Sequence, residues 1–327
     1  MKTKIIIFGL LFFLWLYCNV TAQDLDIFPQ SENLKIINSI AFSPNGKHLI
    51  ISSHDSRIII WDVATGKEIR TLQEHGKIAF SLAYSPNGKI IVSGSYGGTI
   101  MMWDEITGRS IRTIKGHEDH INSITFSQDG NTFLTVSYDN TIKLWNANTG
   151  GEMWSFPGQA AMLNPNGKTL ISAFGYIIEL YDTTSGLLIN TFLGHSEIVN
   201  SIAFSPDCRQ ISSITLKNIK IWDTLTGSEI KTLPVGGSKI SYSPDGQLIL
   251  VANENNYSLW EISTGRKIRE YEGFFFEFDN GDIIQNFVFS PNGETIAFEA
   301  SFGVIELYDI TTETKLKSFS NYGIELR

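Results

Sequence analysis

Short apolar runs alternate with polar turns along almost the whole chain, and the first repeat unit shows what this pattern predicts. Residues 39–42 form an apolar segment followed by Pro44-Asn45-Gly46, where proline fixes φ and Asn-Gly accepts positive φ. Residues 48–53 predict a second strand. Residues 58–61 predict a third that is apolar on both faces, as suits a strand packed between two layers. Residues 68–72 alternate between polar and apolar side chains and predict a half-exposed fourth strand.

The same unit recurs seven times. Each copy contains an aromatic-Ser-Pro-Asn/Asp-Gly turn or a variant of it, at residues 42–46, 84–88, 126–130, 163–167, 204–208, 242–246 and 289–293. Each third strand ends in Trp-Asp or a variant: Trp61-Asp62, Trp103-Asp104, Trp145-Asn146, Tyr181-Asp182, Trp222-Asp223, Trp260-Glu261 and Tyr308-Asp309. These aromatic residues lie 42, 42, 36, 41, 38 and 48 residues apart. A period of about 40 residues with four strands is typical of a propeller blade.

This combination of turns and Trp-Asp pairs resembles the WD40 repeat family over residues 34–320. The resemblance implies an all-β fold, a single seven-bladed β-propeller of WD40 type with four-stranded antiparallel blades. The expected blades are approximately residues 34–74, 75–116, 117–157, 158–194, 195–235, 236–273 and 274–320. Members of this family usually serve as binding platforms, which is an inference from fold and weaker than one from a site.

The resemblance also implies a polar network in the third copy. WD40 repeats often contain a His before the blade, a Ser on the second strand, an Asp in the next turn and the Trp, and these match His117, Ser137, Asp139 and Trp145. A His-Asp-Ser set occurs in hydrolases too. The family match instead assigns these residues to hydrogen bonds that tie the inter-blade link to the strands. We therefore predict a structural role for them and no catalytic residue.

The N-terminal residues 1–22 do not belong to the repeats. Two lysines precede an apolar run at residues 5–17, and small residues end the segment at Ala22. The pattern predicts a cleavable secretory signal of bacterial type, which would leave residues 23–327 in the periplasm or outside the cell with no membrane span. A retained anchor is an alternative, but the run is short of the roughly 20 residues that a span needs. Lipidation is another, but bulky residues precede Cys18.

Two segments compete for the outer strand that would complete the last blade. Residues 315–320 continue the seventh copy, whereas residues 26–30 lie where an outer strand would precede the first copy. Pro29 weakens the N-terminal candidate, since proline removes a hydrogen-bond donor from a β-ladder. We expect the C-terminal strand to fill the position.

Composition narrows the classes of ligand. The formal net charge is −9 and no cluster of Lys or Arg is present, which argues against nucleic acid as a partner. The six His residues lack the spacing of zinc ligands, and no calcium-loop or phosphate-loop motif occurs, so we predict no metal and no cofactor. Cys208, the single cysteine after residue 22, cannot form an internal disulfide.

The longest interval contains a candidate partner-binding segment, residues 272–284. Phe274, Phe275, Phe276 and Phe278 lie within five positions of one another. Aromatic residues in an exposed loop are natural interface anchors. The alternative is an added hairpin with its turn at residues 279–281, in which alternate Phe side chains would belong to the core.

Further candidates lie in the links between blades, on the face that such propellers often use for binding. They are Lys77, Asp119 and Glu197. These charged residues could equally form a solvated rim.

The favoured function is that of a non-catalytic scaffold in the cell envelope or extracellular space. It would be a monomeric propeller that binds a protein or peptide across one end of the central channel. The alternative is a propeller enzyme with an active site at the channel mouth, such as a cofactor-dependent oxidoreductase, a lyase or a hydrolase. No cofactor motif supports the alternative.

Overall fold

The computed structural model describes residues 36–72, 77–253, 256–272, 276–277, 283–284, 286–301 and 303–320. The predicted signal segment 1–22 and the N-terminal strand candidate 26–30 lie outside these residues. Within them there is no helix at all, and so none long and apolar enough to cross a membrane.

The described residues form seven four-stranded antiparallel sheets, each ordered as the strands occur along the chain, which makes a seven-bladed propeller as predicted. From blade 1 to blade 7 the strands are Ile37–Phe42, His48–Ser53, Ile58–Asp62 and Glu68–Leu72; Ala79–Tyr84, Ile90–Ser95, Thr99–Asp104 and Ser110–Lys115; Ile121–Phe126, Thr132–Ser137, Thr141–Asn146 and Glu152–Pro157; Ala160–Leu163, Thr169–Phe174, Ile177–Asp182 and Leu188–Phe192; Ser201–Phe204, Gln210–Ile214, Ile219–Asp223 and Glu229–Leu233; Lys239–Tyr242, Leu248–Ala252, Asn256–Glu261 and Arg266–Glu272; and Phe287–Phe289, Thr295–Ser301, Val304–Asp309 and Lys315–Ser320.

Two turn types end the strands of every blade at one face of the disc, which we call the lower face. In blade 1, Gly46 N–H donates to Ser43 O at 2.8 Å and the Asn45 side chain accepts from Lys47 N–H at 3.0 Å. After the third strand, Asp62 Oδ1 accepts from Thr65 N–H at 2.7 Å. These side-chain bonds fix both turns locally. The turns between the second and third strands, together with the links between blades, form the opposite, upper face.

The core consists of seams between neighbouring blades. The third strand of blade 1 contributes Ile59 to the cluster shared with blade 7 and Ile58 and Ile60 to the cluster shared with blade 2. Because one strand faces both seams, it is apolar on both sides, as the sequence pattern indicates. Each seam holds its two blades at a fixed angle, which positions the loops of the upper face.

In the part of the chain that the structure describes, the ring closes without exchange of a strand between the first and last blades. Lys315–Ser320 pairs with Val304–Asp309 in blade 7, so the prediction that the C-terminal strand completes this blade is confirmed. Blade 7 then joins blade 1 through side chains. Asn286 Nδ2 donates to Ile37 O at 2.6 Å, and Lys317 Nζ donates to Val63 O at 3.1 Å.

Candidate functional site

The predicted link residues all lie on the upper face, but on different blades. Lys77 is exposed in blade 2, with its ammonium group above Gly97. Asp119 in blade 3 is hydrogen-bonded to the ring of His120. Glu197, which precedes the first strand of blade 5, forms an ion pair with Lys217. Two of the three charges are therefore already engaged within the propeller.

The side chains of Phe274, Phe275, Phe276 and Phe278 lie outside the described residues. The backbone of Phe276–Glu277 pairs with that of Ile283–Ile284 in a short antiparallel ladder. A hairpin ladder is thus present in this insertion, as the alternative prediction required. The exposure of the phenylalanines stays untested.

The polar network of blade 3 is assembled around a buried histidine. The His117 side chain has no exposed surface. Its Nδ1 lies 3.0 Å from Asp139 Oδ2 and its Nε2 lies 2.7 Å from Thr135 Oγ1. Trp145 Nε1 donates to the same Thr135 oxygen at 2.8 Å. The arrangement fits a neutral imidazole with its proton on Nδ1, because Thr135 can then donate to Nε2 while accepting from Trp145.

Ser137 takes part in the hydrogen bonds that tie this link to the strands, as predicted, but the hydroxyl next to His117 is not its own. Thr135, two residues earlier on the same face of the strand, joins His117 to Trp145. Ser137 instead donates to Asp119 O at 3.2 Å and accepts from Asp139 N–H at 3.1 Å. Its hydroxyl therefore stabilises the neighbouring loops.

Burial controls the charge states in this network. Burial lowers the pKa of His117, in spite of the nearby Asp139, and keeps the ring neutral at pH 7. Burial alone would raise the pKa of Asp139, but hydrogen bonds from Thr141 and from the Glu118 backbone N–H lower it to about 2. The network is therefore a neutral histidine held by an ionised carboxylate.

The order of hydroxyl, imidazole and carboxylate resembles a catalytic triad, but it has no route to a substrate. Thr135 has no exposed surface, and its oxygen already accepts the Trp145 proton. A nucleophile needs access to a reacting carbonyl. The group is instead a fixed anchor, since Asp139 also accepts from Glu118 N–H at 3.0 Å and so holds the link that carries Asp119 and His120.

Other blades contain parts of the same network. In blade 5, His195 Nε2 lies 2.6 Å from Ser213 Oγ, which also accepts from Trp222 Nε1 at 2.8 Å. In blade 1 the equivalent position is Ile51, and the buried Trp61 Nε1 has no hydrogen-bond partner among the described residues.

An aromatic cluster on the upper face was missed by the sequence analysis. It consists of His54, Phe80, Tyr96, His120 and Tyr138. The His120 ring contacts Phe80, Tyr96 and Tyr138, with ring centroids 5.3 Å from Phe80 and 5.8 Å from Tyr138. Tyr96 is 51% exposed and Tyr138 is 44% exposed. The cluster is thus a partly open aromatic surface built from three blades.

A sequence signal for this cluster exists, although each residue alone is unremarkable. Tyr96 and Tyr138 each follow the last residue of a second strand, Ser95 and Ser137, at equivalent places in two successive repeats. Phe80 stands where blades 1 and 3 have Asn38 and Asn122. Aligning the repeats position by position would have placed these aromatic residues next to one another.

The cluster borders the central channel, because Phe80 and Tyr138 also line the channel cavity. This cavity has a volume of about 380 Å³ and is bounded by the first strands of all seven blades. Its lining is rich in carboxamide and hydroxyl groups, such as those of Asn122 and Ser123. The upper face therefore combines an aromatic surface with a polar depression.

Among the described residues, no three His, Cys, Asp or Glu side chains come together as a group that could hold a metal ion.

Four segments of the chain match the family model described as WD domain, G-beta repeat, namely residues 26–62, 66–104, 108–146 and 186–223.

Two known proteins share short stretches with this chain. The WD repeat-containing protein 89 homolog of Dictyostelium discoideum is 32% identical over 75 residues, which cover 22% of this chain and 21% of that protein. WD repeat-containing protein 82 of Drosophila melanogaster is 49% identical over 41 residues, which cover 12% of this chain and 13% of that protein. The chain thus aligns with about a fifth or less of either relative.

Proposed function

Because this chain is a seven-bladed propeller of WD40 type, we propose that it is a non-catalytic module that binds a protein or peptide through its upper face. The observation that carries the proposal is the exposed aromatic cluster beside the channel, with Tyr96 and Tyr138 half-open to solvent. Large aromatic side chains dominate the energy of protein interfaces, and tyrosine combines apolar area with a hydroxyl group that can hydrogen-bond.

The scaffold beneath the cluster supports this role, since binding is tightest where the contact residues are already held in place. Asp139 fixes the link that carries His120, through bonds to His117 and to Glu118 N–H. The neighbouring turn is held by Thr141 N–H, which donates to Asp139 Oδ1 at 2.9 Å. A partner would therefore meet a preformed surface.

The proposed setting is the cell envelope or the extracellular space, with the propeller acting as a monomer. The setting outside the cytoplasm is supported by the apolar segment at residues 5–17 and the small residues that end at Ala22. Intact-mass measurement of the protein from its native cells tests the setting, because export with cleavage leaves a chain that begins at Gln23.

A photo-crosslinking amino acid at Tyr138 tests the binding surface. An aromatic photo-reactive residue preserves the shape of this half-exposed position. We expect a discrete adduct with one partner, identified by mass spectrometry. The matched control places the same residue at Ile106, which is 72% exposed in a turn of the lower face. A third position, Phe275, tests the insertion.

The identified partner then permits a direct measurement. Tyr96→Ala and Tyr138→Ala should each raise the Kd at least tenfold, which is about 1.4 kcal/mol, and Ile106→Ala should leave it unchanged. Equal adducts at Tyr138 and Ile106 would show that the aromatic cluster is not a specific binding surface. An adduct from Phe275 alone would place the binding surface at the insertion instead.

A further inference from the structure

One position in the channel departs from the repeat pattern. In every blade we consider the residue three places before the aromatic or leucine that ends the first strand. In chain order these residues are Ser39, Ser81, Ser123, Ala160, Ser201, Lys239 and Asn286. Six of the seven are uncharged, and the sixth blade alone places a cation there.

This lysine has an electrostatic cost that a serine would not have. Lys239 reaches channel water but is surrounded by protein, and this desolvation lowers its pKa to about 8. Its Nζ lies 5.4 Å from the centre of the Phe287 ring, a cation–π contact that offsets part of the cost. Local departures from a repeat pattern are expected at functional sites.

A second channel residue points to a ligand independently. Asn38 in blade 1 is 6% exposed and lines the same cavity as Lys239. Both polar atoms of its carboxamide are buried and have no hydrogen-bond partner among the described residues. Buried polar groups are nearly always hydrogen-bonded in folded proteins, so this amide is available to donate to a bound group.

The chemistry of the lining selects the kind of ligand. Of the described residues that line the cavity, Lys239 is the only charged one. The other lining groups are amides, hydroxyls and a few apolar side chains. One ammonium and one amide donor suit a single negative charge. A phosphate usually engages several cations or a nest of backbone amides. The net charge of −9 also disfavours a doubly charged anion.

We propose that the channel contains a carboxylate-binding subsite in which Lys239 and Asn38 hold an acidic side chain or the C-terminal carboxylate of a bound peptide. The proposal rests on the proposed function, because the peptide would cross the aromatic cluster before entering the channel. Phe80 and Tyr138 lie on blades 2 and 3, whereas Lys239 lies on blade 6, across the ring. The cavity of about 380 Å³ accommodates a side chain or a chain end.

Three small probes test the subsite without knowledge of the partner. Acetyl-glutamate amide carries a side-chain carboxylate, acetyl-glutamine carries a terminal carboxylate, and acetyl-glutamine amide is the neutral control. Binding is measured by NMR titration of the intact protein, up to roughly 10 mM probe. We expect at least one carboxylate probe to bind tenfold more tightly than the neutral one. The preferred probe distinguishes an acidic side chain from a chain end.

Two variants assign the binding to the proposed residues. Lys239→Ser, which restores the residue type of four other blades, should weaken binding of the carboxylate probe at least tenfold in a protein that still unfolds in a single cooperative transition. Asn38→Leu should also weaken it while maintaining or raising the Tm, because it removes an unsatisfied buried amide. Lys217→Ser is the matched control, since it removes an equal charge from the Glu197 ion pair on the same face.

The outcomes separate this inference from the proposed function. Equal binding of charged and neutral probes, no binding of any probe, or unchanged binding by Lys239→Ser would overturn the carboxylate subsite. A partner adduct at Tyr138 would still stand in each of those cases. Carboxylate binding without any adduct at Tyr138 would support the subsite while removing the aromatic surface.

Discussion

The junction that closes the ring and the junctions along the chain share most of their contacts. Gly46 lies against Pro291 of blade 7, as Gly88 lies against Pro44 of blade 1. On the outer strands, Lys317 Nζ donates to Val63 O across the closure at 3.1 Å. Lys231 Nζ donates to Ile262 O between blades 5 and 6 at 2.9 Å. The lower and outer parts of the closing junction are therefore made like those of the other junctions.

The inner contact is different. Between blades 2 and 3, Ser81 Oγ donates to Ile121 O at 2.9 Å. At the closure the equivalent residue is Asn286, whose Nδ2 donates both to Ile37 O at 2.6 Å and to Glu299 Oε2 at 3.2 Å. A hydroxyl is thus replaced by an amide and a buried carboxyl group.

The difference follows from chain connectivity. Blades 2 and 3 are joined by a short covalent link, which keeps their seam assembled even when one contact is weak. Blades 7 and 1 lie at opposite ends of the described propeller and exchange no strand. Among the described residues, side-chain contacts hold this seam in place of a covalent link, so we expect it to open first.

The largest predicted effect is the loss of the inner contact at the closure. Asn286→Ala should lower the free energy of unfolding by about 2–4 kcal/mol, because it leaves Ile37 O and Glu299 buried without their shared donor. Ser81→Ala, the matched variant at an interior junction, should cost about 1 kcal/mol. Urea unfolding measures both values.

A double variant distinguishes a weakened closure from general damage caused by a substitution at Asn286. Asn286→Ser together with Glu299→Ala gives the closure the residue types found in other blades, since Ser39 and Ala252 occupy the equivalent positions. The double variant should be more stable than Asn286→Ala. Equal losses from Asn286→Ala and Ser81→Ala would mean that the closure is no more sensitive than the interior.

The repeat pattern predicted this architecture but not its critical contact. The number of blades and the closing strand at residues 315–320 follow from turns and Trp-Asp pairs that lie close together in sequence. The bond from Asn286 to Ile37 O joins residues 249 positions apart, and no local pattern signals it. In the sequence, Glu299 differs from the residues at the equivalent position of other blades, which are small or apolar, such as Ala173 and Ile214. This difference is the only sequence signal for it.

The next effect in size is a dependence of closure on pH. Burial raises the pKa of Glu299 to about 8, and hydrogen bonds from Asn286 and from the Gly303 backbone N–H lower it only in part. The folded protein therefore binds this proton more tightly than the unfolded chain does. Stability from this residue is present at low pH and is lost as pH rises from about 5 through 8.

The variant Glu299→Gln isolates this contribution. It should flatten the decline between about pH 5 and 8 and make the protein more stable at pH 8 by about 3 kcal/mol. Urea unfolding across this pH range measures the difference between the two proteins. His195 acts in the opposite sense, because burial lowers its pKa to about 4, so only the difference is informative. Parallel pH profiles would show that Glu299 does not titrate in this window.

The candidate site was less predictable than the fold. The family pattern identified Ser137, which ties the link to the strand, but not Thr135, which joins His117 to Trp145. Both residues lie on one face of the strand, and the pattern does not indicate which of the two hydroxyls His117 reaches. Phe80, Tyr96 and Tyr138 come from neighbouring blades, so their contact depends on the angle between blades. Repeat-to-repeat comparison at equal register is the sequence signal that reaches such sites.

The smallest predicted effect shows that the interior junctions are not identical either. In the turn between the first and second strands, six blades have glycine with φ between 69° and 73°, whereas blade 5 has Cys208 at 63°. A residue with a side chain is strained by about 1–2 kcal/mol in this left-handed region. Replacing it with glycine removes the strain, but part of the gain is lost because glycine has more conformational freedom in the unfolded chain. Cys208→Gly should therefore raise the free energy of unfolding by about 0.5–1 kcal/mol, and Cys208→Ser should leave it unchanged.

The reverse substitution, Gly88→Cys, should lower the free energy of unfolding by about 1 kcal/mol. The new Cβ would lie an ordinary 3.6 Å from Pro44, so only the backbone is strained. If Cys208→Ser stabilised the protein as much as Cys208→Gly, the thiol rather than the backbone would be the cause.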